Sequence, residues 1–164
     1  MATASYGQGV MATPLQMVMA YGAIANGGKL MRPMIVEEVV YKDGRKEKTK
    51  PQELRRVLDE RTAHLVSGML VSVIEKTYSN TGSIRGYYVG GKTGTAQIAG
   101  PGGYNDENTN HSFVGLAPIE DPKFVMIVKY EKPKRTWAEA TALPVFHDVA
   151  EFALKYYQIA PTRK

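Results

Sequence analysis

The chain has 164 residues, 43% of them hydrophobic and 23% charged, with a formal net charge of +5. This length and composition fit one ordinary globular domain with a core of its own, and exclude a disordered or low-complexity chain. The absence of cysteine excludes disulfide scaffolds and cysteine-ligated zinc, and no apolar run approaches the roughly 20 residues that span a bilayer.

The first six residues have neither the basic start nor the apolar centre of a signal peptide. Thr13-Pro14, followed by Leu15, Val18, Met19, Gly22 and Ala25, predicts a helix capped by Thr13, begun by proline and stopped by Asn26-Gly27-Gly28. Its methionines read as core filler. Residues 34–41 are rich in strand formers, and Asp43-Gly44 turns them into a polar return strand. Residues 42–56 hold much of the basic charge. They lack the interleaved stacking aromatics of a nucleic-acid surface and read as a solvated hairpin.

Asp59 caps a second predicted helix, with Leu65, Val66, Met69, Leu70, Val73 and Ile74 as its apolar face. His64 within it has no partner at metal-ligand spacing, and no metal site is predicted. Three strands follow, at 88–98, 112–117 and 123–130. A glycine-rich polar loop joins the first two, and Ile119-Glu120-Asp121-Pro122 joins the last two. Such connections predict an antiparallel meander. A last helix carries Pro144 in its first turn, where proline is tolerated, and Val145, Phe146, Val149, Phe152, Ala153 and Tyr156 near one stripe. Trp137 before it reads as a packing anchor, and His111 and His147 as structural. The fold class is α/β of the α+β type, an antiparallel meander flanked by helices, without a second domain boundary.

One stretch carries chemistry: Val89-Gly90-Gly91-Lys92-Thr93-Gly94-Thr95-Ala96-Gln97. Residues 86–93 match the phosphate-loop pattern G-x-x-x-x-G-K-[ST], which needs a buried strand before it and a helix after its threonine. Tyr87, Tyr88 and Val89 are strand formers, and Gly94 directly follows Thr93. A strand therefore fits better than a phosphate cradle, and nucleotide binding is the weakest of three functional readings. The second reads Lys-Thr-Gly as one of three elements in the active sites of penicillin-binding proteins and serine β-lactamases. The other two, Ser-x-x-Lys and Ser-x-Asn, do not occur: none of Ser5, Ser67, Ser72, Ser79, Ser83 and Ser112 has Lys three residues on or Asn two residues on.

In order along the chain, Ser5-Tyr6-Gly7-Gln8-Gly9, Thr13-Pro14-Leu15-Gln16, Ala25-Asn26-Gly27-Gly28, Gly91 to Gln97, Phe113-Val114-Gly115-Leu116-Ala117-Pro118, Asp121-Pro122 and Pro144-Val145-Phe146 resemble the C-terminal part of a class B penicillin-binding protein transpeptidase domain. The resemblance covers nearly all of residues 1–164, and the Phe-Val-Gly-x-Ala-Pro form leans to the cell-division branch. It implies the C-terminal portion of a serine β-lactamase-like fold, with the nucleophile-bearing part lying upstream and outside this chain. The implied reaction is acyl transfer from a D-Ala-D-Ala stem peptide to the amine of a neighbouring stem. β-Lactams acylate the same serine, and no cofactor takes part.

By this resemblance Lys92 assists proton transfer, Thr93 and Thr95 hold the substrate carboxylate, Gly94 lets the substrate backbone approach, and the Thr95 N–H is an oxyanion donor. Period-two geometry puts Thr93 and Thr95 on one face of the strand. The implied setting is the extracytoplasmic face of the bacterial cytoplasmic membrane, reached through an anchor upstream. The chain alone is then expected to be inactive and to self-associate through the edge of strand 123–130. Thr136 to Ala142 stands where relatives carry paired glycines. The third functional reading is a non-catalytic module that binds peptidoglycan or a protein partner.

Overall fold

A computed structural model of the chain describes residues 4, 7, 9–100 and 103–163, with residues 99, 100 and 103–107 described by backbone only. Ser5, Tyr6 and Gln8 of the first motif, and Pro101 and Gly102 of the glycine-rich loop, lie outside the described residues.

Helix α1, Pro14–Ala25, starts where the sequence places it. Thr13 Oγ1 accepts from the Gln16 N–H at 3.2 Å, and Gln16 Oε1 accepts from the Thr13 N–H at 2.8 Å. This reciprocal pair satisfies two donors that a helix start leaves orphaned. Four short strands follow: β1 (Lys29–Met31), β2 (Glu38–Val40), β3 (Lys46–Lys48) and β4 (Glu53–Arg56). They pair antiparallel as β1–β4 and β2–β3. The predicted strand at 34–41 shrinks to β2, because Met34, Ile35 and Val36 have no strand beside them to pack on and stay exposed.

Helix α2, Glu60–Thr77, is capped by Asp59. Its buried residues are Ala63, Ser67, Leu70 and Ile74. Leu65 and Met69, expected on the apolar face, are 55% and 64% exposed, so the packed stripe lies one step round the helix. A one-turn helix α3, Ser79–Gly82, leads to β5 (Gly90–Gly100), β6 (Gly103–Ala117) and β7 (Phe124–Glu131). These three strands form the predicted meander in the order β5-β6-β7, antiparallel throughout. The polar loop expected over 99–110 is corrected: strand pairing runs on through Ala99 and Tyr104, because an antiparallel ladder needs only backbone groups and accepts polar side chains.

Helix α4, Ala142–Tyr156, covers one face of that sheet. On this face Phe113 of β6 lies opposite Thr93 of β5 and Val128 of β7. Phe113 meets Phe146 of α4 with ring centroids 4.7 Å apart, and both rings are fully buried. Ala142, Leu143, Ala150 and Leu154 complete the seal. The predicted stripe is corrected here: Val149, Phe152 and Tyr156 are 44%, 65% and 67% exposed. Val149, Phe152 and Tyr156 recur at spacings of three and four, but so does the row Leu143, Phe146, Ala150 and Leu154, and that row faces the sheet. Trp137 is 59% exposed and is no packing anchor. Gly115 explains how near α4 comes, since a Cβ there would strike the rings of Phe146 and Phe113.

Helices α1 and α2 approach from the other face. Leu70 lies under Gly90, while Ile74, one turn on, touches Gly82 beside Leu143 of α4. Helix α2 thus passes the start of β5 and joins both sides. The tail fastens the same corner: the N–H groups of Thr162 and Arg163 donate to the Gly86 carbonyl, at 3.0 and 2.9 Å. The Arg163 guanidinium pairs with Glu75 at 2.8 Å and stacks over Tyr88.

Candidate active site

Strand β5 bonds to β6 and to no other strand among the described residues, so its second edge is open and its alternate N–H groups face outward. That edge carries Lys92, Thr93, Gly94 and Thr95. No helix begins at Lys92 or Thr93, which removes the phosphate-loop reading. Thr93 and Thr95 lie opposite Phe113 and His111, on the face covered by α4, so the two hydroxyls share a face as expected.

Lys92 belongs by register to the opposite face, beside Val114. Its flexible stem nevertheless folds over the edge. The Lys92 Nζ donates to the Thr93 carbonyl at 2.9 Å and to Thr93 Oγ1 at 3.2 Å. Among the described residues Lys92 has no ion-pair partner, so its charge is left for an anion. The Tyr78 hydroxyl, at the C-terminus of α2, stands 3.1 Å from Thr93 Oγ1. An ammonium only donates, so Thr93 Oγ1 accepts from Lys92, and when Tyr78 also donates to it its own hydrogen is left to give. Thr95 is set up in the same sense: its Oγ1 accepts from the Ala138 N–H at 3.4 Å. Both hydroxyls therefore receive a hydrogen from the protein, and with Tyr78 as donor both can present one to an acceptor such as a carboxylate.

Gly94 sits between them with its Cα turned to the other face, where a Cβ would lie 2.7 Å from Ser112 Oγ. Next to it, a groove of about 720 Å³ runs between β5, β6, β7 and the segment entering α1. Ala96, Ile98, Ile127, Lys129, Met11 and Met17 line it. A smaller polar cleft of about 320 Å³ lies by Tyr78, Asn80 and Glu139.

Three features escaped sequence reasoning. Tyr78 follows α2, Ala138 opens a 3-10 turn and Thr141 precedes α4, none with a motif of its own, and only the fold brings Tyr78 and Ala138 to β5 and Thr141 to His111 of β6. His111, read as structural, is fully buried beneath the site. His147 is only half-buried beside Asp148. His64 lies on the surface, 3.9 Å from Glu60; this carboxylate one helical turn earlier does stand at a spacing that could share a metal, against the expectation, but no group of three possible ligands forms among the described residues.

A comparison with known families matches "Penicillin binding protein transpeptidase domain" to residues 1–151. The chain belongs to this family. Stage V sporulation protein D of Bacillus subtilis is 35% identical over 99% of the chain, which spans 26% of that relative. The penicillin-binding protein PbpB of Mycobacterium tuberculosis is 35% identical over 91% of the chain and 24% of its own length. Among solved structures, penicillin-binding protein 3 of Mycobacterium tuberculosis complexed with ampicillin superposes with a TM-score of 0.85 at 31% identity. That match covers 96% of this chain and 38% of the other. The chain thus spans about a quarter of the length of these curated relatives. The α+β fold expected from the sequence is that of the penicillin-binding transpeptidases.

Proposed function

We propose that this chain supplies the Lys-Thr-Gly wall of a peptidoglycan D,D-transpeptidase, and that the attacking serine comes from residues outside the 164 described by this sequence. The observation that carries this reading is the open β5 edge. There an ammonium with no ion-pair partner among the described residues stands with two hydroxyls that each accept a hydrogen from the protein, within one four-residue run. Such a group suits the terminal carboxylate of a D-Ala-D-Ala stem or of a β-lactam. It is already oriented, so little reorganisation is needed as charge develops.

In this reaction a serine oxygen attacks the carbonyl carbon of the penultimate D-alanine. The carbonyl oxygen becomes an oxyanion, for which the Thr95 N–H is the proposed donor. The bond to the terminal D-alanine breaks as its nitrogen takes up a proton, which the Lys92 charge assists by favouring ionisation of its neighbours. A neighbouring stem amine then attacks the acyl-serine, forms the cross-link and releases the serine. No described residue group holds a metal-ligating cluster, and none of these steps needs one. The proposed setting is outside the cytoplasmic membrane. Among the described residues no helix is long and apolar enough to cross one, so attachment would come from elsewhere in the protein.

Fluorescent penicillin tests the reading. The full-length protein should be labelled, Lys92→Ala should slow acylation by at least about 100-fold without loss of folding, and the 164-residue chain alone should take no label. Labelling of any serine in the isolated chain would overturn the proposed division of labour. A full-length protein that binds stem peptide but is never acylated would favour a non-catalytic peptidoglycan-binding module.

A further inference from the structure

His111 is fully buried yet polar, and it stands on β6 directly opposite Thr95. Its Nε2 lies 3.0 Å from Thr109 Oγ1 and its Nδ1 lies 3.0 Å from Thr141 Oγ1. A hydroxyl can give or accept, so each ring nitrogen is satisfied in a place where an unpaired one would be costly. Packing alone does not call for an imidazole here, because the neighbouring buried positions on this face are filled by Phe113 and Leu143.

The bond to Thr141 leads back to the site. Thr141 ends the turn between β7 and α4. Its N–H donates to the Ala138 carbonyl at 3.2 Å, and its hydroxyl lies 3.4 and 3.5 Å from the carbonyls of Trp137 and Ala138. Ala138, 1% exposed, donates its N–H to Thr95 Oγ1. The imidazole therefore holds from below the turn whose N–H sets the direction of the Thr95 hydroxyl from above. Thr95 is gripped between its own strand and a turn tied to the strand next door.

We propose that His111 is a positioning residue for acyl transfer, acting through Thr141 and the Ala138 turn to aim Thr95 into the cleft. This rests on the transpeptidase reading above. The two ring nitrogens have separable tasks: Nδ1 holds the turn, whereas Nε2 only completes the burial of the ring. Asparagine places a polar atom near the Nδ1 position, and glutamine places one near the Nε2 position.

The test measures fluorescent-penicillin acylation in the full-length protein. Misplacement of a reacting group by about 1 Å can cost on the order of 100-fold, and a loosened turn should cost about tenfold. Thr141→Val and His111→Gln should each slow acylation about tenfold, and His111→Asn should recover to within about threefold of wild type. Thr141→Val is nearly isosteric and keeps the test open if histidine variants fold poorly; it leaves the buried His111 Nδ1 without its partner, so its melting temperature should fall by about 2–10 °C while the protein stays folded at the assay temperature. Thr141→Val acylating at the wild-type rate, or His111→Gln recovering as well as His111→Asn, would overturn the role of His111 while leaving the transpeptidase reading intact. A wild-type protein that takes no label would overturn both.

Discussion

The two faces of the β5–β6–β7 sheet differ in how completely they are closed. On the α4 face Phe113, Ala117, Leu143, Phe146, Ala150 and Leu154 are fully buried. On the α1 face Ile127 and Lys129 border a groove of about 720 Å³ together with Met11, which is fully exposed. An edge strand that presents a lysine on one side and two hydroxyls on the other needs both conditions. The dry face fixes where the strand lies, and the open face leaves room for whatever completes the site.

The sharpest way to break this contrast is to empty each face in turn. Phe146→Ala should destabilise the chain by about 3–5 kcal/mol, the range for deleting a buried aromatic ring. Ile127→Ala, on the half-buried side, should cost less than half as much. Urea unfolding of both variants checks the ratio. Equal costs would mean that the groove face is closed in solution and that the contrast is wrong.

Two glycine substitutions sharpen it further. Gly115→Ala drives a methyl into the rings of Phe113 and Phe146, and overpacking of this kind costs about 1–3 kcal/mol. Gly68 lies in the interior of α2 with nothing within 4 Å of a Cβ. Gly68→Ala should therefore raise stability by about 0.5–1 kcal/mol, through helix propensity alone. If Gly115→Ala were as well tolerated as Gly68→Ala, α4 could not be seated as closely as Phe146 requires.

The contrast between faces also explains what could be read from sequence. Elements whose signals are local were legible. Thr13-Pro14 and Asp59 start their helices, Asp43-Gly44 turns the hairpin, and the strand meander follows from its connections. The Lys92 to Thr95 run was legible as a strand with its two hydroxyls on one face. What failed was the choice of packed stripe. In α2 and α4 two apolar rows share the helical spacing: Leu65 and Met69, or Val149, Phe152 and Tyr156, stand beside Ala63, Leu70 and Ile74, or Leu143, Phe146, Ala150 and Leu154, and only the second row of each helix is buried. Which row packs is set by the orientation of the helix on the sheet, and periodicity within the helix does not register it. Tyr78, Ala138, Thr141 and His111 reach the site through pairs 15 to 43 residues apart, which no local spacing reveals.

The open face carries an association prediction. Strand β7 pairs with β6 alone among the described residues, and its far edge has unpaired N–H and C=O groups. An exposed edge of this kind templates pairing with another chain. Sedimentation velocity of the isolated chain should show mass rising with concentration. Amides of β7 should exchange faster than those of β6, which is bonded on both sides. A monomer at all concentrations, with β7 as protected as β6, would mean that the edge is already covered.

The smallest effect expected concerns Asp59, which starts the helix that joins the two faces. Its carboxylate accepts from the Thr62 hydroxyl at 2.6 Å and from the Thr62 N–H at 2.8 Å. These bonds favour the ionised form, the hydroxyl bond most, and hold the pKa below the ordinary value of 3.8. A folded-state pKa below the unfolded one means that the unfolded chain binds the proton more readily. The contribution is therefore fully present above pH about 4 and is lost as pH falls through the lowered value. Asparagine can still accept from the Thr62 N–H as a helix cap, but it does not titrate and carries no charge for the helix dipole. Wild type should thus be slightly more stable than Asp59→Asn at pH 7, and the gap should close as pH falls through the lowered value. Urea midpoints at several pH values would show it. A gap that stayed constant into acid would mean that Asp59 acts as a neutral cap and that its charge contributes nothing to the start of α2.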